Sequence, residues 1–255
     1  WFHLICIASF TFLLPNRLQK MNELEDFLKT HDAGTVLDIA CGSGAFTKRL
    51  TGNLKSYTSV IGLDIKADTR DDFLEAVQGH DISFVASSIH DYIESTGRFD
   101  TISVSNALHH LEGVGEVVKS VCGILNAGGT FIVNEMHGDD LTPTQQTQHD
   151  QHRFLADLQR SAGEYHRETW SRDEILGFIT HAGLRVQHSF ENNNEDALVT
   201  KEPGRLVERA QAAIDKAYPD GAPESITAEL DRLVARNNEI GSSSPPQLTL
   251  VCVGA

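Results

Sequence analysis

The sequence predicts an α/β fold: a doubly wound sheet of seven strands, mostly parallel, with the final strand antiparallel beside the sixth. Three observations predict it. Short β-rich runs alternate with helical patterns from residue 35 onward, as in a parallel sheet covered on both faces. The first of those runs passes through Gly42-Ser43-Gly44 directly into a helical pattern. The chain has 255 residues, 40% hydrophobic and 22% charged, enough for one substantial core of ordinary globular composition.

The elements follow in order. Phe2 to Leu14 is almost wholly apolar, but shorter than the roughly 20 residues that span a bilayer, and it lacks the basic start and small-residue cleavage site of a signal peptide. Residues 1–20 are therefore read as an apolar extension foreign to the domain, which runs from Met21 to residue 255; a cytoplasmic location without membrane attachment follows from that reading. A helix is expected over 22–30, then strands at 35–39, 59–64, 82–86, 99–104 and 130–134. Helices over 45–51, 69–78 and 115–125 connect them, with a short turn around Tyr92, and Gly128-Gly129 supplies the break before the fifth strand. A helix over about 141–162 precedes the sixth strand at 184–190, and the seventh lies at 247–253. Between those two, 201–240 reads as a helical insertion: Leu206, Val207, Ala210, Ala213 and Ile214 recur at helical spacing, as do Ile226, Leu230, Leu233 and Val234, with a break at Pro219, Gly221 and Pro223.

Charge and cysteine usage narrow the function. Thirty-six acidic against 21 basic residues give a net charge of -15, and no Lys/Arg cluster interrupts it. Such a surface repels phosphate backbones, so nucleic acid is not the expected partner. Cys6, Cys41, Cys122 and Cys252 are scattered without CxxC spacing, which suits a reducing compartment rather than a disulfide framework or thiolate metal site.

The strongest local signal is Val36 to Gly44, VLDIACGSG. Glycines after a strand let a ligand approach the backbone more closely than a Cβ permits. Dinucleotide-binding folds share Gly-x-Gly, but here the third glycine of their fingerprint is absent, and Asp38 ends the strand where a pyrophosphate would be repelled and an ammonium stabilised. The run resembles motif I of class I S-adenosylmethionine-dependent methyltransferases. The resemblance continues through Ile61-Gly62-Leu63-Asp64, Phe84-Val85-Ala86-Ser87-Ser88, Phe99-Asp100-Thr101-Ile102 with Ser105-Asn106-Ala107-Leu108-His109-His110-Leu111, and Gly128-Gly129-Thr130-Phe131. The stretch Ser105 to Leu111 is similar to the small-molecule branch and unlike the motif of amino-methylating nucleic-acid enzymes.

The resemblance implies a Rossmann-like methyltransferase fold, S-adenosylmethionine as cofactor and a small-molecule acceptor. It implies cofactor contacts at Asp38, Ala40, Gly42, Gly44, Asp64, Ile65, Ser87, Ser88 and Asn106, with Asp64 accepting both ribose hydroxyls. Ser87 stands where the family often has Asp. His109-His110 belongs to the family's loop pattern and does not by itself mark a catalyst. Two other readings are a nicotinamide-dependent oxidoreductase, disfavoured by Asp38 and the missing glycine, and a domain that binds the cofactor without transferring methyl.

Beyond residue 135 the residues stand alone. Glu135, His137 and Asp139 alternate past the fifth strand, at the carboxyl edge where open α/β sheets bind ligands. His149 and His152 share a helix face, and His166 precedes a helix opened by the capping box Ser171-x-x-Glu174. Glu135, His137, His152 and His166 are the candidates for the acceptor site, where imidazole and carboxylate groups could deprotonate a substrate. A divalent metal is the less favoured use of the same groups, and exposed polar surface is the plainer one. Oligomeric state is not encoded in any feature of the sequence.

Overall fold

The computed structural model describes residues 23–194 and 197–254. The apolar extension at 1–20 lies outside the described residues. Five parallel strands carry one side of the molecule: β1 (Thr35–Ile39) lies between β2 (Ser59–Asp64) and β4 (Phe99–Ser105), β3 (Ile82–Ala86) lies beyond β2, and β5 (Leu125–Met136) pairs with β4. β7 (Gln247–Gly254) runs antiparallel between β5 and β6 (Leu184–Asn192), giving the order β3-β2-β1-β4-β5-β7-β6. The chain moves outward from β1 to β3 and then returns to the opposite side of β1. That reversal opens a crevice at the carboxyl ends of β1 and β4, the usual ligand position in such sheets.

Helices α1 (Glu23–Leu28), α2 (Ala45–Thr51), α3 (Arg70–Ala76), α4 (Ile89–Ser95), α5 (Val114–Ile124) and α7 (Arg172–His181) accompany the sheet. α5 buries Val114, Val117, Val118, Val121 and Ile124, the single stripe that a 3.6-residue period produces, in the same core as Ile175 and Ile179 of α7. α6 (Pro143–Ser161) starts at a capping box in which Thr142 accepts from the Gln145 backbone and Gln145 reaches back to Thr142, with Pro143 as the first helical residue. α8 (Gly204–Ala217) and α9 (Glu224–Ile240) occupy the stretch between β6 and β7. They pack on α6 through a second core of Phe154, Leu155, Leu158, Leu206, Ala210, Ile214 and Leu233. Among the described residues no helix is long and apolar enough to cross a membrane.

Two elements differ from the sequence reading. The turn expected near Tyr92 is helix α4, because Ser88 caps it by accepting from the Asp91 backbone N–H at 3.1 Å. β5 begins five residues earlier than expected. Leu125 pairs with Phe99, and the register slips before Thr101 meets Thr130, so Gly128-Gly129 forms an irregularity within the strand rather than a break before it. Gly128 has φ 76°, and a Cβ on Gly129 would lie 2.9 Å from the Asp100 carbonyl.

Gly62 tests how closely α3 packs on β2. A Cβ there would lie 2.4 Å from the fully buried Phe73 ring and 2.9 Å from the Cys41 sulfur. Gly62→Ala is expected to destabilise the protein by about 1–3 kcal/mol, the range typical of overpacking. Thermal unfolding measures it, and an unchanged Tm would show that α3 yields without cost.

Candidate active site

The turn after β1 is shaped by three residues in left-handed backbone, Ala40 (φ 53°), Gly42 (φ 52°) and Gly44 (φ 83°). The two glycines serve different ends. A Cβ on Gly44 would meet Val77 and Phe73 at 2.6 and 2.9 Å, so this position is kept small by helix packing. A Cβ on Gly42 would meet nothing within 4 Å, so the turn there borders open space. The Gly42 N–H donates to one oxygen of Asp64 and the Lys66 N–H to the other, both at 2.8 Å. Each carboxylate oxygen keeps a further lone pair for a ligand hydroxyl. Ile65, next in sequence, is an apolar side chain 71% exposed at the same edge.

Asp38 is buried below this turn and accepts from the hydroxyls of Thr47 (2.5 Å, α2) and Ser103 (2.6 Å, β4). Burial pushes its carboxyl pKa up to about 6, against the two hydroxyl bonds, which favour the charged form. Burial also raises the Cys41 thiol, which marks it as an inert packing residue. Ser88 spends its hydroxyl on capping α4, whereas the half-buried Ser87 hydroxyl donates to the Ser88 carbonyl. Asn106 has φ 47°, and its side-chain oxygen accepts from the Met136 N–H at 3.1 Å, which ties the β4 loop to the end of β5.

The acceptor-side candidates separate into two groups. Glu135 is fully buried; one oxygen accepts from the Ala107 and Leu108 N–H groups at 2.9 and 2.8 Å, and the other from His109 Nδ1 at 2.9 Å. His109 is almost fully buried and meets His152 of α6 and His166 of the following loop, with ring centroids 4.9 and 5.3 Å away. His152 Nε2 lies 3.1 Å from His166 Nε2, while His166 Nδ1 is bonded to the Gln159 side-chain oxygen. Burial, reinforced by the neighbouring imidazoles, drives His152 down to about 3 and His166 to about 2, so both rings are neutral at physiological pH.

His137 stands apart from that cluster. Its Nδ1 accepts from the Asp139 N–H at 3.3 Å and its Nε2 lies 3.4 Å from Glu191. Asp139, Asp140 and Glu191 are in turn gathered by Arg172 at the start of α7. His149 bonds Thr169 at 2.8 Å rather than joining His152. Sequence reasoning passed over His109, the residue that joins Glu135 to His152 and His166. The signal was its position after β4, opposite an inward carboxylate on β5.

Residues 36–129 match the protein family described as Methyltransferase domain. Over that stretch the chain is similar to methyltransferase domains. Two curated relatives are similar to part of the chain. A chloroplastic methyltransferase of Arabidopsis thaliana, named as uncharacterized, is 23% identical over 125 residues, 46% of this chain and 35% of its own length. The mitochondrial ubiquinone biosynthesis O-methyltransferase of Candida albicans is 26% identical over 136 residues, 49% of this chain and 40% of its own. The chain thus aligns with well under half the length of either relative. A SAM-dependent methyltransferase from Geobacter sulfurreducens, solved in complex with S-adenosyl-L-homocysteine, matches the fold with a TM-score of 0.57 at 15% identity, over 93% of this chain and 91% of that one. The matched residues include the turn after β1, and the likeness of fold extends beyond them to cover 93% of the chain.

Asp38 yields a pH-dependent prediction. Its carboxyl titrates near 6 folded and near 3.8 unfolded, so its contribution to stability is fully present below pH 3.8 and lost as pH rises through about 6. Asp38→Asn removes that penalty and is expected to stabilise the ligand-free protein by roughly 1–3 kcal/mol at about pH 7.5, with no gain below about pH 4. Scanning calorimetry at the two pH values measures it; an equal effect at both would show that the charge of Asp38 is already balanced.

Proposed function

We propose that this chain is an S-adenosylmethionine-dependent methyltransferase that methylates a small-molecule acceptor by in-line transfer to an oxygen, nitrogen or carbon nucleophile. The observation that carries the reading is the open turn at Gly42 flanked by two strand-end carboxylates, Asp38 and Asp64. Asp64 retains acceptor capacity for two ribose hydroxyls, and Asp38 offers a buried negative charge to an ammonium group. Ile65 supplies an apolar surface for the adenine face, with Ser87 and Ser88 at its border, while Ala40, Gly44 and Asn106 fix the loops. The cofactor would supply a methyl group on a reactive sulfonium; the protein contributes alignment and exclusion of water.

On the acceptor side, His152 and His166 present neutral imidazoles, Glu135 acts through His109, and His137 secures the loop after β5. The net charge of -15 supports a small molecule rather than nucleic acid as substrate. Free thiols at Cys41, Cys122 and Cys252 support a reducing, cytoplasmic setting.

Isothermal calorimetry with S-adenosylhomocysteine and with NAD tests the cofactor. The homocysteine compound is expected to bind and NAD not to, and Asp64→Ala should weaken binding about tenfold or more, since a hydrogen bond to a charged group contributes roughly 1.5–3 kcal/mol. Preference for NAD would turn the reading to an oxidoreductase, and undiminished binding by the variant would remove Asp64 from the site. His152→Ala is expected to lower methyl turnover while leaving S-adenosylhomocysteine affinity within about twofold, because it lies outside the carboxylates and the turn. A parallel loss of both would show that the α6 region shapes the cofactor pocket.

A further inference from the structure

His109, His152 and His166 come from three separate segments: the turn after β4, helix α6 and the loop before α7. Each offers one nitrogen, and the three nitrogens lie within 4.8 Å of one another. We propose that they form a binding site for a single divalent transition metal of the zinc type, with a fourth coordination position left for water or an acceptor oxygen.

Two of the rings are already oriented for ligation. Glu135 holds His109 at Nδ1, and Gln159 holds His166 at Nδ1. An oxygen partner at Nδ1 places the proton there and leaves the Nε2 lone pair for a metal. A carboxylate behind a ligating histidine is the arrangement that fixes the tautomer and raises ligand basicity in metal sites. Here that carboxylate is fully buried and is itself anchored by two backbone N–H groups. The third ring is different: among the described residues His152 Nδ1 is buried without a hydrogen-bond partner, so its tautomer is set only through the Nε2 contact with His166. Its Nε2 can donate to His166 or, with the proton moved to Nδ1, ligate in its place.

The His152–His166 distance and the donor type agree with the metal class. Two nitrogens each about 2.0–2.1 Å from a tetrahedral metal lie about 3.3 Å apart, and His152 and His166 present theirs 3.1 Å apart. Three imidazoles without a carboxylate ligand favour zinc, iron, nickel or copper over magnesium or calcium, which take oxygen ligands. Three protein ligands also match the open sites in which zinc holds a water or substrate atom, unlike the closed four-ligand structural sites. The metal site itself does not depend on the methyl-transfer reading; only the choice of an acceptor oxygen as fourth ligand rests on it.

The experiment uses the untagged full chain, treated with chelator and titrated with zinc(II) alone, and separately with cobalt(II) to read the visible bands of tetrahedral coordination. One zinc per chain is expected, competed by cobalt and not by magnesium. His152→Ala and His166→Ala should each lose more affinity than Glu135→Gln, for which a drop of about 10–100-fold is expected from removing the residue behind a ligand. His149→Ala, one helical turn from His152 but bonded to Thr169, should bind zinc unchanged. Circular dichroism checks that each variant is folded; if His109→Ala is not, the His152 and His166 variants decide. No stoichiometric zinc, or equal binding by a His152→Ala/His166→Ala double variant, overturns the proposal. Zinc binding in a protein that ignores S-adenosylhomocysteine would leave the metal site standing and sink the methyltransferase reading instead.

Discussion

The Glu135 carboxylate has no exposure and three donors, and the β4–β5 side of the crevice is arranged around that fact. A buried carboxylate is costly unless each oxygen is met by a donor. The donors available are the Ala107 and Leu108 amides, exposed at the start of a helical turn, and the His109 ring. Satisfying Glu135 therefore sets the path of the chain after β4, and the path sets the direction of His109. The loop is no free surface segment but a ligand of the neighbouring strand.

The same device operates on the other side of the crevice. Asp64 at the end of β2 holds the turn after β1 through Gly42, as Glu135 on β5 holds the turn after β4. In each case a carboxylate at the end of one parallel strand fixes the loop of its partner. The two pairs lie on either side of the β1–β4 reversal, so the crevice has one rim built by each. Asp38, between them, is the exception: its donors are hydroxyls from α2 and β4, and its charge remains poorly compensated.

Legibility in the sequence followed the range of the interactions. The runs Thr35–Ile39, Ser59–Asp64 and Ile82–Ala86 were readable to the residue because β-rich composition and flanking turns are local properties. The capping box at Ser171 and Glu174 was readable for the same reason. The early start of β5 was not, since a register slip against Phe99 is a property of two strands. The packing of Gly44 against Val77 and Phe73, some 30 residues away in sequence, is likewise invisible in its local motif. The imidazole cluster shows the limit most clearly. His152 and His166 were singled out individually, but their meeting with His109 depends on how α6 and the β4 loop converge, which no spacing encodes.

The placement of β7 has a consequence for how this chain is made. β7 follows β6, α8 and α9 in sequence yet sits between β5 and β6, and Asn134 of β5 completes its hydrogen bonds with Thr249 and Gln247. During synthesis, β1 to β5 can associate as they emerge, but β5 then presents an open edge throughout translation of β6, α8 and α9. Such an edge is a template for pairing with other chains. The helices between β6 and β7 prolong that interval. The nascent protein is thus most exposed to misassembly in the interval before β7 is made, with the parallel strands already formed and one interior place in the sheet still vacant.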